Sequence, residues 1–182
     1  MDVFLETERL RLRRFTEADL DDLVDLDGDP EVMRHITGGR STTREQMREE
    51  FLPAWFAYYE RYPAFGFWAA EDRGGRFLGW FHFRPVQGRE GVELGYRLKR
   101  SAWGRGLATE GSRALIAKGF TDLGVDRVFA ETMTVNTGSR RVMEKSGLRF
   151  VRTFFAEWPE SIPGDEHGDV EYALTKAEWL AG

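Results

Sequence analysis

The stretch Arg100-Ser101-Ala102-Trp103-Gly104-Arg105-Gly106 has the residue types of an anion-binding turn. It joins a strand-like run, 92–98, to a helix-like run that opens at Leu107. Glycines at such a junction let the backbone approach a ligand without a Cβ in the way. A helix N-terminus presents unpaired N–H groups and a partial positive charge, both suited to a phosphate. Arg100 and Arg105 add full charges. The same turn serves equally well as a tight strand-to-helix connection with solvated arginines. It is not a GxGxxG fingerprint, because Thr109 stands where the third glycine belongs, and no GK[ST] follows to make a P-loop. Other chemistries lose ground early. There is no Cys, which removes disulfides, thiolate metal sites and a cysteine nucleophile. His35, His82 and His167 lie far apart and lack metal-ligand spacing, so no metal site is expected.

The elements that must position this turn follow from periodicity. Residues 9–15 alternate Leu10 and Leu12 with basic side chains and read as a strand. Thr16 with Asp19 three residues on reads as a helix start, and Gly28-Asp29-Pro30 as its stop. Residues 30–36 read as at most a short turn. A second helix is expected from the Ser41/Thr42 cap to about Tyr62, kinked or divided at Pro53. Strands follow at 67–71, 77–84 and 92–98, then a helix from Leu107 to Gly124. After it come a strand at 128–133, a helix over 136–146 closed by Gly147, strands at 151–155 and 170–174, and a short helical end over 176–180. Trp55, Phe56, Tyr58 and Tyr59 are expected to be mostly core; Trp158 in a Pro/Gly-rich loop suggests a site or an interface. With no repeat and no linker, the chain reads as a single domain over 1–182, of mixed α+β type around one sheet.

The net charge of −5 makes nucleic acid a poor partner and mildly favours a cationic acceptor such as an amine. No apolar run approaches the ~18–20 residues of a membrane span. The opening residues carry no signal-peptide pattern, so a cytoplasmic location is expected.

Four motifs in order resemble the GNAT N-acetyltransferases, and more closely their RimJ/RimL-like branch. They are Thr7-Glu8-Arg9-Leu10 with Arg13, then Glu93-Leu94-Gly95-Tyr96 leading into Trp103-Gly104-Arg105-Gly106-Leu107-Ala108-Thr109-Glu110. Next is the set Asn136, Ser139, Arg140, Val142, Glu144, Lys145 and Gly147, and last Tyr172-Ala173-Leu174-Thr175 with Glu178-Trp179. The resemblance is collinear over residues 6–180. It implies a central mixed, mostly antiparallel twisted sheet of about six or seven strands flanked by about four helices. A splayed strand pair would form the acyl-CoA cleft.

The implied activity is transfer of an acyl group, acetyl by default, from acyl-CoA to a primary amine by direct attack in a ternary complex. The amine would belong to a protein N-terminus or a small molecule. No permanently bound cofactor is implied; acetyl-CoA or another acyl-CoA is a co-substrate. Its implied binding residues are Leu98, Arg100, Trp103, Gly104, Arg105, Gly106, Leu107, Ala108, Thr109, Asn136, Ser139 and Arg140. Ser101 departs from the family's Gln or Arg and shifts the load onto backbone N–H groups of 103–108. Glu93 and Glu131 are alternative bases, with Glu93 preferred; strand alternation decides which of them faces the cleft. The family's leaving-group Tyr is Met143 here, so Ser139 is the candidate donor to the thiolate. The oxyanion donor falls within Leu94–Leu98. Homodimers are common in the branch. A catalytically silent acyl-CoA-binding sensor or interaction module is the alternative.

Overall fold

The structure, a computed structural model, describes residues 2–182. Its strands are β1 (Val3–Glu6), β2 (Leu10–Arg14), β3 (Gly66–Asp72), β4 (Phe77–Pro85), β5 (Val92–Leu98), β6 (Arg127–Met133), β7 (Arg149–Phe154) and β8 (Asp169–Thr175). They form one 8-stranded sheet in the order β1-β2-β3-β4-β5-β6-β8-β7. All neighbours are antiparallel except β5 and β6. The helices are α1 (Leu20–Asp27), α2 (Pro30–Thr37), α3 (Arg44–Gln46), α4 (Leu52–Arg61), α5 (Leu107–Asp122), α6 (Thr137–Lys145) and α7 (Lys176–Ala181). A π-turn, Met47–Phe51, joins α3 and α4 into one helical segment.

The sheet therefore has one or two strands more than expected, and there are more helices. The extra strand, β1, pairs with β2 through Val3↔Arg13 and Glu6↔Arg11. It precedes the first period-two signal and forms because β2 offers it an edge. Residues 30–37 are a full helix rather than a turn. Asp29 caps it by accepting from the Glu31 N–H, Pro30 suits its first turn, and Gly38 ends it in the left-handed region. Pro53 does not break the helical segment; it sits in the first turn of α4. The widened π-turn lies just before it, where a proline cannot supply the regular helical bond.

The two faces of the sheet carry different cores. One packs β-residues Ala69, Phe77 and Trp80 against Leu23, Leu26, Met33, Met47, Leu52 and Trp55 of α1–α4. The other packs Phe81, Phe83, Leu94 and Leu98 against Leu107, Leu115, Ile116 and Phe120 of α5, and against Met143 of α6. Helix α5 lies close because it is notched: a Cβ at Gly111 would sit 2.3 Å from Phe81 Cζ, and one at Gly119 2.6 Å from Phe83 Cζ. In the aromatic patch of α4, Trp55 and Tyr59 are buried while Phe56 and Tyr58 are partly so, in line with a core reading.

Between β5 and β6 the pairing is short. Only Val92↔Val128 and Glu93↔Phe129 are in register. Beyond them the strands part, so residues 94–98 of β5 and 130–133 of β6 border a cleft. The helices α5 and α6 begin just past its open end.

Candidate active site

The glycine turn closes one side of this cleft. Gly104 and Gly106 take φ of 69° and 76°, a region that other residues adopt at a cost. Gly106 caps α5. Trp103 Nε1 donates to the Leu98 carbonyl at 2.9 Å, tying the turn to the end of β5. The N-terminal motif braces the turn from outside. Arg9 donates to the Arg105 carbonyl at 2.8 Å and pairs with Glu110 at 2.6 Å, and Thr7 donates to Glu110 at 2.7 Å. Thr7, Arg9 and Glu110 thus fasten the start of β2 to the start of α5. Of the two arginines expected near an anion, Arg100 pairs with Asp29 at 3.0 Å, while Arg105 meets Arg9 through its backbone. Arg9, Gly106, Thr109, Arg113 and Lys145 line an open groove along the outer side of the turn.

Helix α6 borders the cleft with its first turn. Asn136 is its cap and accepts from the Ser139 N–H at 3.2 Å. Ser139 meets the Tyr96 hydroxyl, which burial pushes above its ordinary range and contact with Ser139 draws back down. Tyr96 and Ser139 thus bring two hydroxyls together from β5 and α6. Arg140, by contrast, turns onto the sheet. It donates to the Tyr172 hydroxyl at 3.2 Å and to the Thr134 carbonyl at 3.1 Å. Met143 is buried in the core and donates nothing.

Strand alternation does not separate the two candidate bases. Because Glu93 is level with Phe129, Glu93 and Glu131 project from the same face. Their environments do differ. Arg84 Nη2 contacts Glu93 Oε2 at 2.9 Å, and His82 Nε2 lies 3.6 Å from the same oxygen. Arg89 bonds Glu131 at 2.7 Å. Burial raises Glu93 above the usual carboxylate range, with Arg84 opposing it. Next to Glu131, the buried Glu171 is kept below that range despite its burial, by Arg152, Arg127 and Arg89. Glu93 is thus moved toward neutral pH, which suits a proton acceptor.

His82 shapes this corner. Its ring lies across Gly95, where a Cβ would sit 2.6 Å from Cε1 and Nε2. It stacks beside Trp80 at 5.9 Å and meets the Phe67 ring edge at 5.6 Å. Burial, with Arg84 and Arg97 nearby, pushes it down to about 3, so the imidazole is neutral at physiological pH. The glycine of the Glu93-Leu94-Gly95-Tyr96 motif is therefore the seat of a histidine on the neighbouring strand.

Sequence reasoning assigned no side-chain role here to Trp80, His82, Arg84, Arg97 or Tyr96. A signal was present: Trp80, His82 and Arg84 are a period-two set of polar and aromatic residues on a strand whose other face is apolar. The overall acidity also misleads locally, because arginines crowd this face. Among the described residues no helix is long and apolar enough to cross a membrane, and no group of His, Asp or Glu is arranged to hold a metal ion.

Comparison with known proteins bears on this arrangement. A family described as "Acetyltransferase (GNAT) domain" matches residues 9–149. The FsC-acetyl coenzyme A-N(2)-transacetylase of Aspergillus fumigatus is 36% identical, over 97% of this chain and 77% of that protein. Among solved structures, an acetyltransferase (GNAT family) from Bacillus anthracis is 26% identical, with a TM-score of 0.78 over 95% of this chain and 98% of that one. A spermidine N-acetyltransferase from Vibrio cholerae, solved with CoA and spermine, superposes with a TM-score of 0.77 over 96% of this chain and 99% of that one. At 15% identity that likeness is one of fold.

Proposed function

The chain belongs to the GNAT acetyltransferase family, and from that premise we propose that it moves the acetyl group of acetyl-CoA onto a primary amine by direct attack. The observation that carries this reading is the parted β5–β6 pair. It has a helix-capping glycine turn at one side and a buried carboxylate with raised proton affinity, Glu93, at its floor. The name of the Aspergillus relative supports acetyl-CoA as donor and a nitrogen as acceptor.

In this reading the pyrophosphate lies on the N–H groups of the 103–108 turn, with Arg113 and Lys145 in the flanking groove available to phosphate. Pantetheine runs along the free edge of β5. The Asn136 amide nitrogen bonds it, while Asn136 Oδ1 stays on the Ser139 N–H. Glu93 takes the amine proton, directly or through one water. The free amine attacks the thioester carbon. A backbone N–H within Leu94–Leu98 receives the oxyanion. As the C–S bond breaks, the attacking nitrogen gives up its remaining surplus proton to the departing sulfur through the Ser139 hydroxyl, with the Tyr96 hydroxyl behind Ser139.

Melting the purified protein with acetyl-CoA, CoA, ATP and NAD tests the donor. At ~100 times its dissociation constant a ligand adds about 2.7 kcal/mol, a rise of several degrees at this size. A rise with the CoA species alone is expected, followed by CoA release when an amine is added; no rise with either CoA species would remove the reading. For the leaving group, Ser139→Ala should lower kcat by about tenfold, the loss of one hydrogen bond to a developing charge. Tyr96→Phe should lower it less. Unchanged turnover in Ser139→Ala would take Ser139 out of the mechanism.

A further inference from the structure

The face that carries Glu93 also collects buried polar atoms without partners. Trp80 Nε1, His82 Nε2, Arg84 Nε and Arg97 Nε make no hydrogen bond in the protein. In register, Trp80 stands opposite Arg97, His82 opposite Gly95, and Arg84 opposite Glu93, so all four share one side of β4 and β5. Indole and guanidinium nitrogens only donate. Buried donors without partners are rare in folded proteins, and a row of them beside a reacting carboxylate asks for oxygen acceptors.

The charges point the same way. Three carboxylates around the site are already held by arginine: Asp27 by Arg97 at 2.8 Å, Glu93 by Arg84 at 2.9 Å, and Glu131 by Arg89 at 2.7 Å. Glu171 is held by Arg127 at 3.0 Å and Arg152 at 2.8 Å. Five guanidiniums thus meet four carboxylates.

We propose that the acceptor is an amine whose adjacent carbon bears a carbonyl or carboxylate, its oxygen held by Arg84 beside His82 while its nitrogen meets Glu93. This rests on the acetyl-transfer reading above and narrows its acceptor. Arg84 and His82 both flank Glu93 Oε2, which leaves Oε1 for the amine. In an α-amino carbonyl group the nitrogen and oxygen are three bonds apart, which suits a carboxylate and a guanidinium already in contact. The Arg84 guanidinium rests on the Phe67 ring at 5.3 Å, so its fork is held in place. His82, being uncharged, does not repel the incoming ammonium. Trp80 and Arg97 lie farther along the same face and would serve the distal part of a longer acceptor.

The test compares kcat/KM for acetyl transfer to glycinamide, free glycine, propylamine and spermidine, each corrected for its fraction of free amine. The wild-type protein should favour glycinamide or glycine over propylamine by roughly 10- to 100-fold, the worth of a charge-assisted hydrogen bond in a dry site. Which of the two is better tells a neutral carbonyl from a carboxylate. Spermidine should do no better than propylamine. Arg84→Met should bring the ratio close to one, and Arg84→Lys should keep part of it. Equal or better rates with propylamine or spermidine, or an unchanged ratio in Arg84→Met, would overturn the proposal and leave acetyl transfer standing. CoA release with none of the four, despite bound acetyl-CoA, would overturn the transfer reading itself.

Discussion

Replacing Glu93 with Gln should lower kcat by about 10²–10³, within the usual range for loss of a general base. The substitution keeps shape and removes the group that accepts the proton. The pH profile gives the sharper check. Burial holds the Glu93 proton affinity above that of an ordinary carboxylate. The active, ionised form is therefore lost as pH falls through that raised value, and kcat/KM should fall with it. The Gln variant should lack this limb. Stability runs the other way. A carboxyl whose proton affinity is raised by folding contributes stability below its unfolded pKa and loses that contribution as pH rises through its folded one. At neutral pH the Gln variant should therefore melt no lower than wild type, so lost activity cannot be put down to unfolding. Glu131→Gln should cost less than tenfold, since Arg89 already holds that carboxylate. If neither variant changes the rate tenfold, neither glutamate is the base.

Arg13→Met should be the most damaging single change away from the cleft. Arg13 pairs with Asp19 at 2.8 Å and with Glu71 at 2.6 Å, and the three side chains are nearly sealed from water, at 7%, 7% and 12% exposure. Asp19 also accepts the Thr16 N–H at 2.8 Å, which opens the turn into α1. Methionine fills the space but leaves two buried carboxylates without their cation. Breaking a buried pair in this way costs about 3–5 kcal/mol. At about 2–4 °C per kcal/mol for a domain of this size, the melting temperature should drop by about 6–20 °C. Thermal melts at pH 7 read this directly. A drop under 2 °C would mean that the triad contributes little. The effect reaches the site through α1, whose last residue, Asp27, holds Arg97 on the acceptor face.

The resemblance drawn from the order of the motifs is borne out by the family match and by the fold. Much of the fold was legible locally. Strand β5 has the boundaries its pattern suggests, and α5, α6 and β8 agree within a few residues. Those segments carry strong signals: alternating burial, a glycine just before α5, and the Asn136 cap. The misses have identifiable causes. Strand β1 is four residues long and exists because β2 pairs with it. Helix α2 is short and begins with a proline, and its apolar positions meet their partners only when α1 folds beside it. Arg140 is expected among the CoA-binding residues, yet it bonds Tyr172, which is 32 positions away.

The sequence by itself determined the family, the order of the elements and the composition of the glycine turn, because those properties live in runs of neighbouring residues. Only the tertiary structure decided what meets at the cleft. Thr7 and Arg9 lock onto Glu110 across about a hundred positions. His82 seats on Gly95, and Tyr96 reaches Ser139. Glu93 and Glu131 turn out to share a face rather than oppose each other. Each of these depends on strand register and on which strands are neighbours. A one-residue slip would send every side chain to the other face, and nothing local in the chain records the choice.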